Sequence, residues 1–234
     1  TQADDYFNTV LYTGASSGQG ITGVGFQPDW TWIKSRSHAS SHVLTDSSRG
    51  VTESLFSDTT AAESTLSGGV TAFGTDGFTL GTEGTVNTNT RTYVAWNWKA
   101  NGGTTVTNEA GSIDSTVQAN TDAGFSIVTY TGTGSNATVG HGLVAVPEML
   151  IIKNRSAVDS WLVYHAGVSS DAETDYLLLD TTAAVSDNNT VWNDTAPTSS
   201  VFSIGTAVDV NTNTENYIAY CFASVDGYSK FGSY

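Results

Sequence analysis

Four basic side chains are the residues in this sequence best suited to bind a charged ligand. They make up half of the 8 Lys and Arg residues in the 234-residue chain. Lys34 and Arg36 lie in the first half, and Lys153 and Arg155 take the same Lys-x-Arg spacing in the second half. Because ammonium and guanidinium groups form strong hydrogen bonds with carboxylates, these residues predict a site for an acidic sugar or another carboxylate.

The alternative is a structural role for the same four residues. Neighbouring carboxylates could pair with them across the end of a sheet and fix a turn. The candidates are Asp29, Asp46 and Glu148. A basic pair kept twice in otherwise divergent halves is more easily explained by folding than by one ligand. We therefore favour the structural role and keep ligand binding as the second hypothesis.

Two glycine-bearing strings match catalytic or cofactor motifs by letter alone. Residues 14–18 fit the nucleophile elbow, and residues 18–23 fit the dinucleotide fingerprint. Both motifs need a strand that turns directly into a helix. Residues 24–28 follow these strings and contain Gly25 and Pro28, which disfavour a helix, so a helix cannot begin cleanly there. We predict hairpin loops, no catalytic residues, and a protein that is not an enzyme.

Metal and thiol chemistry find little support in the sequence. The single cysteine, Cys221, excludes an intrachain disulfide and a thiolate cluster. The histidines are not shared between the two halves, which favours ordinary side chains over ligands. Loops 171–175, 187–189 and 209–213 are rich in Asp and Asn and could offer oxygen ligands to Ca²⁺, although none has EF-hand spacing. We predict no metal and no cofactor, with Ca²⁺ in these loops as the alternative.

The charge balance argues against two classes of partner. With 8 basic and 23 acidic residues, the formal net charge is −15. Such a surface repels phosphate backbones and anionic lipid headgroups, so nucleic acid and membranes are disfavoured. No apolar run approaches the roughly 20 residues that a membrane span needs, and no membrane insertion is expected.

The chain contains two related copies of one sequence. Five pairs of segments correspond in order: 7–14 with 125–132, 28–37 with 147–156, 58–62 with 180–184, 78–82 with 202–206, and 86–98 with 210–222. The offset grows slowly along the chain, as small insertions in loops would cause. The sequence therefore predicts an internal repeat of about 115 residues.

Strand patterns predict the fold of each copy. Apolar β-formers alternate with polar residues and are bounded by Gly, Asn, Asp or Pro. We predict an all-β chain of two tandem β-sandwich (jelly-roll-like) modules, at residues 1–100 and 124–234, joined by a linker at 101–123 that carries one short strand. Residues 227–234 resemble the opening of a copy, which predicts either the start of a third copy or a closing strand.

The strand at residues 93–98 shows the alternation most clearly. Val94, Trp96 and Trp98 share one face, and Tyr93, Ala95 and Asn97 share the other. Because the first face is bulkier, we predict that it forms the core. The corresponding strand of the second copy predicts a core face made of Ile218, Tyr220 and Phe222.

The amino-acid sequence of several segments resembles a repeat domain of unknown function found in virion structural and tail-fibre-like proteins of marine tailed bacteriophages. The segments are Gly124–Gly132, Gly140–Leu143, Ile152–Ser156, Trp192–Phe202 and Gly227–Tyr234, with Phe7–Gly14, Ile21–Trp32 and Tyr93–Ala100 similar to a partner repeat. The resemblance covers nearly the whole chain. It implies a place on the virion surface and other virion proteins as partners, and it carries over no catalytic residues.

These inferences lead to one main functional hypothesis and two alternatives. We expect a non-catalytic tail-fibre, spike or head-surface module that contacts a bacterial surface glycan or protein through loops rich in Ser, Thr, Asn and Gly. By analogy, we expect a homo-oligomer such as a trimer. The alternatives on the same frame are a glycan-degrading enzyme, which would need two carboxylates about 5 to 10 Å apart, and a stand-alone secreted lectin that uses Ca²⁺.

Overall fold

Antiparallel strands make up most of the regular structure in the computed structural model, which describes residues 2–233. The chain divides into two units, one of residues 2–59 and 63–103 and the other of residues 60–62 and 104–233. Every pairing between named strands is antiparallel. The prediction of an all-β, β-sandwich-like chain is confirmed. Thr1 and Tyr234, the outer bounds of the two predicted modules, lie outside the described residues.

Among its described residues, the first unit contains nine strands in two sheets. They are β1 (Phe7–Thr13), β2 (Gln19–Thr22), β3 (Trp30–Ser35), β4 (Val43–Asp46), β5 (Glu53–Phe56), β6 (Ser64–Thr65), β7 (Val70–Gly74), β8 (Gly77–Leu80) and β9 (Thr92–Trp98). One sheet has the order β1-β9-β3-β4-β5-β6, and the other has the order β2-β8-β7. A 3₁₀-helix covers Ala3–Asp5, and the short helix α1 covers Gly84–Asn87.

Ten strands lie in the part of the second unit that the structure describes. They are β10 (Val106–Asn108), β11 (Ser115–Asn120), β12 (Phe125–Thr131), β13 (Ala137–Gly140), β14 (Met149–Asn154), β15 (Leu162–His165), β16 (Asp175–Leu178), β17 (Ser186–Asp187), β18 (Val201–Ile204) and β19 (Asn216–Phe222). Eight form a sheet in the order β10-β11-β12-β19-β14-β15-β16-β17, and β13 pairs with β18. The helices α2 (Asn189–Trp192) and α3 (Val208–Asn211) have one turn each.

Each unit has a core of its own, and its position corrects one prediction. The first core includes Tyr93 and Ala95 of β9, together with residues from both sheets such as Ile33 and Phe78. On the face that we predicted to be the core, Val94 is buried, whereas Trp96 and Trp98 are half-buried. The prediction was wrong for the two tryptophans because side-chain size was its only criterion, whereas both faces of this strand carry apolar residues.

The second core repeats this arrangement on β19. Tyr217, Ala219 and Cys221 belong to its cluster of buried residues. The predicted face, Ile218 with Tyr220 and Phe222, is also buried. Each fully buried large side chain of this kind stabilises the fold by roughly 1.5–3 kcal/mol.

The interval at 101–123 contains more structure than a linker with one short strand. It carries both β10 and β11, and β11 pairs with β10 on one side and β12 on the other. Gln118 on β11 is completely buried. The polar composition of β11, Ser-Thr-Val-Gln-Ala-Asn, hid this strand in the sequence, because the apolar alternation that predicts strands is weak there.

The last described residues extend one sequence-based expectation. Near the end of the chain, the Phe231 ring lies 5.9 Å from that of Phe222, and Val225 bridges to Ser229. The part of 227–234 that the structure describes therefore packs on the second unit. No helix among residues 2–233 is long and apolar enough to cross a membrane.

Candidate functional site

The two predicted lysines lie at the ends of equivalent strands and hold the loops that follow. Lys34, the fifth residue of β3, donates from Nζ to the carbonyl oxygens of Ser35 at 2.9 Å and His38 at 3.4 Å. Lys153 on β14 donates in the same way to Asn154 at 2.7 Å and Ala157 at 3.3 Å. Both ammonium groups therefore hold the loop that follows the strand by donating hydrogen bonds to its carbonyl oxygens.

Lys153 is completely buried, whereas Lys34 is half-buried. Burial lowers the pKa of Lys153 to about 8, although Asp159, Asp180 and Asp209 act in the opposite direction. The ammonium of Lys153 therefore lies among carboxylates that it neutralises in part.

The two predicted arginines occupy different surroundings. Arg36 is exposed, and its backbone N–H donates to Thr92 O at 2.7 Å, which holds the end of β3 against β9. Arg155 is half-buried and lines a small cleft together with Asp114, Thr116 and Asn216. Lys34 and Arg36 belong to the first unit, and Lys153 and Arg155 belong to the second. Ligand binding by any of them stays a prediction.

The carboxylates offered as partners for these bases have other contacts. Asp29 is buried and accepts backbone N–H bonds from Ala100, Gly102 and Gly103 at 2.7–2.9 Å. Glu148, at the equivalent place before β14, accepts from Ser224. These two carboxylates fix the chain that follows the last strand of each unit.

Asp46 forms an ion pair that the sequence analysis missed. Its Oδ2 lies 2.5 Å from Nε of Arg49, whose Nη1 lies 2.8 Å from Oε2 of Glu63. The side chains of Arg49 and Asp46 are completely buried. Arg49 therefore has a structural position in the first unit.

The Val-Asn-Thr-Asn-Thr segments, which both copies share, carry a buried asparagine each. Asn87 Oδ1 accepts from Ala15 N at 2.8 Å, and its Nδ2 donates to Ser17 O and Gly81 O at 2.7 and 2.6 Å. Asn211 makes the equivalent bonds to Thr133, Ser135 and Gly205. Each asparagine thus ties two loops to a short helix.

Pairs of stacked tyrosines reinforce the same corner. Tyr12 and Tyr93 stack at 5.0 Å, and Tyr130 and Tyr217 stack at 5.2 Å. Their hydroxyls donate to helix carbonyls: Tyr12 to Val86, and Tyr130 to Val210, both at 2.8 Å. Burial raises the pKa of both Tyr12 and Tyr130 well above the ordinary value. Residues shared by the two copies are therefore engaged in holding the fold.

The histidine and cysteine side chains that could take part in catalysis also make contacts within the fold. His42 accepts the Trp32 indole N–H at Nδ1, and burial lowers its pKa. His141 is completely buried between Leu143 N and Thr198 O, and desolvation lowers its pKa. Burial raises the pKa of the Cys221 thiol to about 12, so the thiol is a poor nucleophile at neutral pH.

An acidic loop cluster in the second unit was not predicted. It consists of Asp159, Asp180, Asp209 and Glu215. Asn154 Nδ2 donates to Asp159 at 2.6 Å and to Glu215 at 2.5 Å. Asp180 and Asp209 accept backbone N–H bonds from Trp161 and Ser160. These acids are widely separated in sequence, so no local pattern could indicate that they meet.

The matching position in the first unit has a different charge. There, loop 38–41 borders a cleft of about 380 Å³ that is also lined by Phe56, Glu83 and Arg91. By the alignment of the two copies, Arg91 stands where Glu215 stands, and Thr85 where Asp209 stands. The loops at this end of the units therefore share a backbone frame and differ in charge.

The residues proposed as Ca²⁺ ligands do not converge. Among residues 2–233, no group of three or more His, Cys, Asp or Glu side chains is arranged to hold a metal ion. Burial and the neighbouring Asp159 raise the pKa of Asp209, which accepts from Ser160 N. The Ca²⁺ hypothesis therefore finds no ligand set in the described part of the chain.

Comparison with known proteins identifies the family of the chain. No curated protein matches the chain, and no solved structure matches it. One family model matches residues 2–234, nearly the full length. The chain belongs to the family described as a domain of unknown function (DUF7483).

Proposed function

We propose that this chain is a non-catalytic structural module of a phage virion, with exposed loops that contact a bacterial surface glycan or protein. The observation that carries the proposal is a difference between two sets of polar residues: those shared by the copies and those in loops that differ. Those common to both copies, such as Asn87 and Asn211, are consumed by internal hydrogen bonds. The loops that differ between the copies carry exposed residues such as His38 and Val158, and surface loops tolerate changes of sequence.

The order of the strands supports the proposal that the two units are tandem copies of one β-sandwich module. Strand order β1-β9-β3-β4-β5-β6 in the first unit corresponds to β12-β19-β14-β15-β16-β17 in the second. The β2–β8 pair corresponds to β13–β18. A stacked array of such modules would present many weakly binding loops, and avidity would then come from copy number.

The test is a binding assay with host cells and an array of acidic and neutral glycans. We expect the purified chain to bind cells and to compete with virus adsorption. Arg36→Glu should weaken binding to acidic glycans, since Arg36 is exposed on the loop after β3. Lys230→Glu, an exposed site with the same charge change, is the matched control. A chain that neither binds cells nor reduces adsorption would contradict the adhesive role.

A further inference from the structure

The outer edge of β1 is an open strand edge. β1 is the first strand in the order of the six-stranded sheet and pairs with β9 alone among the described strands. Its seven residues, Phe-Asn-Thr-Val-Leu-Tyr-Thr, include no charge, glycine or proline. Leu11 is 62% exposed. Proteins usually protect such edges with charges, prolines or short strands, because unpaired backbone groups there recruit other strands.

Backbone bonds at both ends of β1 show which groups face outward. Gly14 N donates to Arg91 O and Lys99 N donates to Tyr6 O, both at 2.9 Å. Since pairing alternates along an antiparallel ladder, residues 8, 10 and 12 face β9 and residues 9 and 11 face outward. The Thr9 N–H is satisfied by its neighbour Asn8, at 2.8 Å. The backbone groups of Leu11 point to the open edge.

The second unit shows what covers the corresponding edge. β12 stands in the place of β1, and it pairs with β19 on one side and with β11 on the other. Ile127 and Val128 on β12 are completely buried, whereas Thr9 is exposed and Val10 is half-buried. The outermost strand there, β10, has only three residues. The second unit thus ends in a short edge, and the first unit ends in a long one.

We propose that β1 docks an extended strand of the β11 type from another polypeptide that carries this module. The strand would be a neutral segment in which apolar residues without long side chains alternate with polar ones, as Val117 and Ala119 do in Ser115–Asn120. In the register of the second unit, Val117 lies opposite Val128, so the incoming apolar residue would cover Val10. This inference rests on the equivalence of the two units and is independent of glycan binding.

The probe is a synthetic peptide with the sequence of residues 104–123, labelled for fluorescence anisotropy, and a scrambled version is its control. We expect the full chain to bind the peptide, and hydrogen exchange to slow at residues 7–13. Leu11→Lys should weaken binding by about tenfold or more, because a charge on an edge strand opposes pairing. Thr9→Lys, at a second exposed position, should do the same.

Val106→Lys is the matched control, because Val106 is 56% exposed on β10, the edge strand of the eight-stranded sheet. This substitution should leave peptide binding unchanged. Equal binding of the scrambled peptide, or no protection of residues 7–13, would overturn the proposal. Self-association of the chain that is abolished by Leu11→Lys, without peptide binding, would also overturn it, because two β1 edges would then pair with each other.

Discussion

Asn87 and Asn211 show how single residues set the shape of each unit. Both are completely buried, and both use the carbonyl and amide ends of the side chain at once. A buried polar group of this kind stabilises the fold only while its partners are present, because each lost partner leaves a desolvated group without a bond. Their recurrence in both copies follows from this geometric requirement.

Asn87→Ala should therefore be strongly destabilising. The substitution removes the partners of Ala15 N, Ser17 O and Gly81 O. We expect the free energy of unfolding to fall by about 3 kcal/mol. Denaturant unfolding monitored by tryptophan fluorescence would measure it. Asn89→Ala, at an exposed position two residues away, should change stability little, and an equal loss in both variants would contradict the role of Asn87.

Lys153→Met should separate a structural lysine from a ligand-binding one. The change leaves the carbonyls of Asn154 and Ala157 without a donor. We expect a larger loss of stability than in Lys34→Met, because Lys34 is only half-buried. Equal losses in thermal unfolding of the two variants would argue against this account.

The lowered pKa of Lys153 predicts how the stability difference between the wild type and Lys153→Met depends on pH. Between about pH 8, its folded-state pKa, and pH 10.5, the ordinary value, the unfolded chain binds more protons than the folded one. The contribution of Lys153 to the free energy of unfolding therefore rises with pH across this window and is lost as pH falls towards 8. The wild-type minus Lys153→Met difference, measured by denaturant unfolding at each pH, should rise accordingly, whereas a flat difference would contradict it.

At the scale of elements, close approaches of backbone decide where strands can end. An added Cβ at Gly132 would lie 2.2 Å from Thr212 O, and the equivalent Gly14 would meet Thr88 O at the same distance. Both glycines follow directly after β12 or β1, where the chain passes the end of a short helix. These positions admit no side chain without movement of backbone.

Gly132→Ala should thus cost about 2–3 kcal/mol of stability, as other forced overpackings do. Gly20→Ala is the matched control, because Gly20 lies on β2 with nothing within 4 Å of the added carbon. The melting temperature of Gly20→Ala should stay within a few degrees of the wild type. A mild Gly132→Ala variant would show that the two loops move apart easily.

The elements also show what sequence reasoning could and could not reach. The strands after Pro28 and Pro147 were predictable, because β-formers follow a residue excluded from the middle of a sheet. β11 was not, since Gln118 is buried in a strand with little apolar character. The acidic loop cluster was not either, because Asp159 and Glu215 meet only through the tertiary fold.

Over the whole molecule, the net charge of −15 opposes folding through mutual repulsion. Raising NaCl from about 0.02 M to about 0.3 M should screen this repulsion and raise the melting temperature at pH 7. The effect should vanish near the isoelectric point of about 4.2, where little net charge remains. Differential scanning calorimetry at both pH values would measure it, and an equal salt response at both would contradict the electrostatic cause.

The pairing of β1 with β9 has a consequence for the time course of folding. The β1–β9 ladder of the first unit joins Phe7 to Trp98, and the β12–β19 ladder of the second joins Phe125 to Phe222. Each ladder closes a loop of almost the entire unit, so the entropy of closure must be overcome before the pairing stabilises anything. During synthesis, neither ladder can form until β9 or β19, the last strand of its unit, has left the ribosome, and we expect each unit to complete its sheet late.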